Sequence, residues 1–139
     1  MQIMSDSLRY VQLTYTVAAS PQVQPADMAA IAAAGYRVVV NNRPDGEALD
    51  QPTSEQLRVA ADAAGLTYHY YPLNAFNYPG PDVAAMAAIF DDLEKPIFAF
   101  CRSGTRSTNL WVSTRETSAQ PDSRKHAQQL GFDVSMSIR

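Results

Sequence analysis

From residue 25 to residue 100, short apolar runs rich in β-branched and aromatic residues alternate with segments of helical spacing, and a capping or breaking residue stands at each junction. Pro25 and Asp27 open an Ala-rich helix that closes at Gly35, with proline inside the start and glycine past the end. Residues 36–40 then read as a buried strand. Thr53-Ser54-Glu55-Gln56 has the capping-box form and starts a second helix that stops at Gly65. Residues 67–71 give the next strand. Asp82 reads as the cap of a third helix, in which Val83, Met86, Ala87, Phe90 and Leu93 fall on one apolar face. Pro96 ends it, and residues 97–100 form a short, fully apolar strand. Such an alternation demands right-handed crossovers and a mostly parallel sheet with helices on both faces. Residues 8–17, with Tyr10, Val11, Leu13, Tyr15 and Val17 in near-alternation, add one or two strands before it. The expected fold is therefore an α/β domain.

Length and charge narrow the class. The 139 residues suit one domain with one core. A net charge of −3 lacks the clustered positive surface that tracks nucleic acid. No apolar run approaches the roughly 18 residues that span a bilayer. Residues 1–9 have no basic stretch followed by an apolar core, so no secretory signal is expected. The one cysteine, Cys101, makes neither an internal disulfide nor a Cys-rich zinc site. A reducing, cytoplasmic setting is expected, with no metal and no cofactor.

In open α/β sheets, ligands bind beyond the carboxyl ends of the strands. Two polar loops leave strand ends here, residues 41–47 and residues 101–107. The second carries the chemistry. A buried strand delivers Cys101 to its end; Arg102, Ser103, Gly104 and Thr105 follow, then Arg106, with a helix beginning near Ser107. Backbone N–H groups of such a loop converge on an anion, reinforced by the helix N-terminus. The same field stabilises a thiolate, so Cys101 is expected to be nucleophilic near neutrality. Arg106 offers a planar fork to an anionic substrate, and Ser107 is placed to hydrogen-bond the sulfur as it leaves. Arg102 through Thr105 are expected to line the substrate anion, and Arg43 to add a second guanidinium. His69 and His126 have no metal-ligand spacing, Trp111 reads as core packing, and Arg124-Lys125 as a solvated pair. Phe76 and Tyr78 fall in a loop where aromatic rings are able to wall a pocket, with core packing or a partner surface as the equal alternative.

The stretch Cys101-Arg102-Ser103-Gly104-Thr105-Arg106-Ser107 resembles the active-site loops of rhodanese-type sulfurtransferases and of protein-tyrosine or dual-specificity phosphatases. With Asn42-Arg43-Pro44-Asp45-Gly46-Glu47, residues 52–65 and Gly131-Phe132-Asp133-Val134-Ser135, the chain resembles domain of unknown function 442. That is the phosphatase-like domain of beta-lactamase-hydrolase-like proteins, also found fused ahead of a sulfur dioxygenase-type domain. The resemblance covers about residues 8–136. It implies a dual-specificity-phosphatase-like fold, and it raises a sulfur dioxygenase-type enzyme as an expected partner.

Phosphatases of that type place one residue more between cysteine and arginine than the four found here. They usually carry His where Phe100 stands, and an aspartic general acid roughly 30 residues before the cysteine. Residues 71–82 offer Asn74 and Asn77, with Asp82 only at the late edge. Asp45 is the candidate displaced acid, with Glu47 beside it, although Pro-Asp-Gly is also good turn chemistry. Thiolate leaving groups need no such proton. The sequence thus leans toward persulfide transfer, with phosphate-monoester hydrolysis as the alternative and a non-catalytic anion-binding or phosphoprotein-binding module as the third possibility. The expected substrate is a small anion: a persulfide, thiosulfate or a phosphate ester.

Overall fold

The computed structural model describes residues 2–3 and 8–138. Most of residues 1–9, on which the leader-segment expectation rests, lies outside them. Six strands form one sheet in the order β1-β2-β3-β6-β4-β5: β1 (Gln2–Ile3), β2 (Arg9–Gln12), β3 (Val17–Ser20), β4 (Val38–Asn41), β5 (Thr67–Tyr70) and β6 (Ile97–Phe100). The four strands β3, β6, β4 and β5 are parallel, and the first two turn antiparallel at one edge. The helices are α1 (Met28–Ala33), α2 (Ser54–Ala63), α3 (Val83–Phe90), α4 (Thr105–Ser113) and α5 (Gln120–Gln129).

The strand period of two divides the core between the two faces. Val39, Phe98 and Phe100 point to one side, where they meet Met28, Ile31, Leu57 and Ala61 of α1 and α2. Val38, Val40, Ile97 and Ala99 point to the other, against Met86 and Phe90 of α3 and Leu110, Trp111 and Val112 of α4. On the first face Tyr10, Tyr36 and Phe98 form an edge-to-face trio with ring centroids 5.4–5.7 Å apart. The predicted caps are present. Thr53 and Gln56 exchange side-chain and backbone bonds at the start of α2, and the Asp82 carboxylate accepts from the Ala85 N–H.

Two expectations need correction. The helix α3 stops at Phe90, so Leu93 lies past its end and is 75% exposed rather than on the apolar face. Of the alternatives for Tyr78 the structure shows core packing: it is buried, and its hydroxyl donates to the Asn109 carbonyl at 2.7 Å. Arg124 is not merely solvated, since Nη1 reaches the Ser137 carbonyl at 3.4 Å. Tyr15 sits in the turn between β2 and β3 and is exposed.

Parallel register sets up the site. Phe100 pairs with Ser20 on one side and with Asn41 on the other, so three strands end level. The residues just past those ends are tied across. Cys101 N–H donates to the Ser20 carbonyl, Asn42 N–H to the Phe100 carbonyl, and Gln22 N–H to the Arg102 carbonyl.

Candidate active site

Cys101 follows β6 with 0% exposure. The loop turns at Gly104, which has φ +93° and serves as the N-cap of α4. A side chain there is doubly disfavoured: that φ suits glycine, and a Cβ would lie 3.3 Å from the Phe132 ring and 3.4 Å from the Ser20 carbonyl carbon. The turn folds the Gly104 N–H back onto Cys101 Sγ at 3.0 Å. The first turn of α4 starts at Thr105, two residues before the expected Ser107, so Arg106 belongs to the helix. N–H groups in a first helical turn have no intrahelical carbonyl to bond and favour negative charge.

Arg106 is held from two directions. Its Nη1 and Nη2 donate to the two carboxylate oxygens of Glu47 at 2.8 and 2.9 Å, and Nη1 also donates to the Leu73 carbonyl at 2.8 Å. The Glu47 bond above all holds the guanidinium firmly charged against the opposing effect of burial, with a smaller contribution from the neighbouring Cys101. Glu47 receives a second cation, because Arg43 Nε donates to Oε1 at 3.0 Å. Arg106 foremost, with Arg43 assisting, keeps the Glu47 carboxyl below the usual carboxylate range. Glu47 is therefore an ionised partner of arginine.

The sequence-predicted residues fall into two groups. Cys101, Gly104 and Arg106 come together as one constellation. Arg102 and Ser103 are exposed on the same loop, and the Ser103 hydroxyl donates to Thr105 Oγ1. Arg43 differs from expectation: it is 5% exposed, and its guanidinium is bonded to Glu47 and to Gln22 Oε1 at 3.1 Å. Ser107 also differs, since its buried hydroxyl donates to Asn42 Oδ1 at 2.7 Å rather than to sulfur. Asp45 caps α2 with Oδ1 on the Ser54 N–H at 2.8 Å. The Asn74 and Asn77 side chains tie their own turn together, leaving Phe76 at its tip 98% exposed.

Sequence reading missed Asn42, Gln22 and Asn109. Asn42 is fully buried and bridges Ser107 to the Tyr71 carbonyl. Asn109 clamps the C-terminal segment on α4 through the Asp133 carbonyl and the Ser137 N–H. A polar residue directly after a buried parallel strand was the available signal for Asn42. A wide surface cleft of about 630 Å³ lies elsewhere, lined by Leu49, Pro52 and Val59 among others, and no residue of the Cys101 loop borders it. Among the described residues, no group of three or more His, Cys, Asp or Glu is placed to hold a metal ion, and no helix is long and apolar enough to cross a membrane.

Residues 7–118 match the sequence pattern of a family described as "Beta-lactamase hydrolase-like protein, phosphatase-like domain". A beta-lactamase hydrolase-like protein of Agrobacterium fabrum is 36% identical over 97 residues, which is 70% of this chain and 22% of that protein. The chain spans less than a third of the length of the curated relatives it matches. A solved structure of a candidate phosphatase from Neisseria meningitidis superposes with a TM-score of 0.75 at 31% identity, covering 88% of this chain and 89% of that one. The P. aeruginosa protein TpbA, solved in complex with phosphotyrosine, superposes with a TM-score of 0.61 at 16% identity, covering 99% and 83%. At that identity the likeness shows the fold alone. The fold is the one shared by protein-tyrosine and dual-specificity phosphatases.

Proposed function

The chain belongs to the family of phosphatase-like domains of beta-lactamase hydrolase-like proteins, and we propose that it is a cysteine-dependent phosphatase acting on phosphate monoesters. One observation carries this: Cys101 and Arg106 flank a turn whose Gly104 N–H is aimed at the sulfur, and the arginine, in the first turn of α4, is pinned before any anion arrives. Preorganised donors stabilise charge as it develops and cost no rearrangement at the moment of reaction. The phosphotyrosine held by TpbA, a protein of the same fold, supports the same class of substrate.

The Cys101 thiolate attacks phosphorus, forming an S–P bond as the ester P–O bond breaks and the leaving oxygen departs as an aryloxide or alkoxide that takes its proton from solvent water. Water then attacks the phosphocysteine, the S–P bond breaks, and inorganic phosphate and the thiolate are released. Arg106 holds two oxygens of the transferring group throughout. The departing oxygen gains little help with its proton. Glu47 is ionised between two arginines, while the Asp45 and Asp82 carboxylates are bonded to helix N-termini. General acid catalysis is worth about 10²–10⁴-fold, so aryl phosphates should far outpace alkyl phosphates. Hydrolysis of p-nitrophenyl phosphate, lost in Cys101→Ser, is the expected result; equal turnover by that variant would refute the covalent route.

Sulfur transfer is the second reading. It is favoured by the four-residue spacing between Cys101 and Arg106 and by a leaving thiolate that needs no proton. Thiosulfate and glutathione persulfide tested beside the aryl ester separate the two.

A further inference from the structure

Arg106 has five N–H donors. Nη1 spends both of its own, on Glu47 and on the Leu73 carbonyl, and Nη2 spends one on Glu47. The Nε–H and the second Nη2–H are not taken up by oxygen partners and lie parallel on one edge, with Cys101 as the neighbouring side chain. That edge matches two oxygens of a phosphate. Its direction is fixed by the Leu73 carbonyl and by whatever fixes Glu47.

Glu47 is anchored by Arg43, a residue of the same loop and almost wholly buried. The Arg43 backbone N–H donates to Asn41 Oδ1 at the end of β4, which sets where its side chain starts. From there the guanidinium uses two diverging donors, Nε toward Glu47 and Nη1 toward Gln22 Oε1. Gln22 in turn gives its own backbone N–H to the Arg102 carbonyl. These bonds form a closed ring. It leaves the Cys101 loop at Arg102, passes through Gln22, Arg43 and Glu47, and returns to the same loop at Arg106. A buried cation has to be compensated, and here the compensating carboxylate is the one that orients the anion-binding fork.

We propose that Arg43 is a positioning residue for anion binding, acting on Arg106 through Glu47 and on the loop backbone through Gln22, and not a second guanidinium on the substrate. This deepens the phosphatase reading and rests on it for the meaning of the bound anion. Lysine cannot replace it. An ammonium is a compact point charge without the fixed, diverging donors of a guanidinium.

The test reads binding of inorganic phosphate to the full chain by calorimetry, alongside KM and kcat for p-nitrophenyl phosphate and the melting temperature. Arg43→Gln is expected to weaken phosphate binding and raise KM about 10-fold, as misplacement of a binding group does. Arg43→Lys is expected to recover little of this. In a Glu47→Gln background the further effect of Arg43→Gln should shrink to less than about 2-fold, as for residues that share one network. Gln22→Ala, which leaves both charges in place and suits the case of an Arg43 variant that fails to fold, should weaken phosphate binding about 3-fold. Wild-type affinity in Arg43→Lys, an undiminished Arg43 effect without Glu47, or an unchanged Gln22→Ala would each overturn the proposal. Weakened phosphate binding in the variants of a protein that hydrolyses no aryl phosphate would uphold the ring and reject the hydrolytic function instead.

Discussion

Replacing Asn42 by leucine removes two side-chain hydrogen bonds beside the Cys101 loop while nearly preserving size. The Ser107 hydroxyl loses its acceptor at 2.7 Å, and the Tyr71 carbonyl loses the Asn42 amide at 2.8 Å. Asn42 and Ser107 are buried, with 0% and 1% exposure, so water does not take over the orphaned Ser107 hydroxyl, while the carbonyl of the half-buried Tyr71 is the cheaper of the two to leave unpaired. Each unsatisfied group costs about 1–3 kcal/mol. Part is offset by burying a more apolar side chain, and about 3 kcal/mol of destabilisation is expected. For a chain of this length that lowers Tm by roughly 10 °C. Adding Ser107→Ala removes one of the two orphans. The double variant should then be about 1 kcal/mol more stable than Asn42→Leu alone, although Ser107→Ala by itself destabilises by leaving Asn42 Oδ1 unpaired. Urea unfolding of the four proteins gives the coupling, expected at 1–2 kcal/mol. Strict additivity, within about 0.3 kcal/mol, would mean that the Ser107 hydroxyl does not rest on Asn42, and its assignment to the loop scaffold would fail.

Two further outcomes follow from the same geometry. Gly104→Ala forces a Cβ onto a φ of +93° and against Phe132 and the Ser20 backbone; it should cost about 1–2 kcal/mol for the backbone alone, with kcat reduced as the N–H leaves Cys101 Sγ, and unchanged melting and kinetics would refute this. Glu47 has a folded-state pKa depressed below its ordinary value of 4.5 by Arg106 and Arg43, so its contribution to stability is complete above that value and fades as pH falls through the lower folded one; melting curves of wild type and Glu47→Gln should therefore converge on acidification, and a constant gap would deny the ion pairing.

Much of the scaffold was legible because it depends on short-range signals. The capping box at Thr53, the Asp82 cap and the glycine stops lie within a few residues of what they control. The two-sided strands, read from Val38-Val39-Val40 and Ile97-Phe98-Ala99-Phe100, required only a period of two. Cys101, Gly104 and Arg106 were legible as one candidate constellation because they lie within six residues of one another. The roles of Arg43, Glu47 and Ser107 were not, because each depends on a partner that the fold brings from afar. Arg106 meets Glu47 across 59 positions and Ser107 meets Asn42 across 65. No local pattern encodes that a charged or hydroxyl side chain will spend its donors on a neighbour instead of a substrate. Leu93 failed in the opposite way, since helical spacing continued in the sequence after α3 had ended.

The central claim is that Cys101 becomes phosphorylated during turnover. Rapid acid quench of the protein with p-nitrophenyl phosphate, followed by intact and peptide mass spectrometry, tests it directly. A gain of one phosphoryl group on the peptide containing Cys101, absent in Cys101→Ser, is the expected result. No phosphoryl adduct at any quench time, with a single added sulfur atom on Cys101 after thiosulfate or glutathione persulfide, would contradict it and make the chain a sulfur carrier.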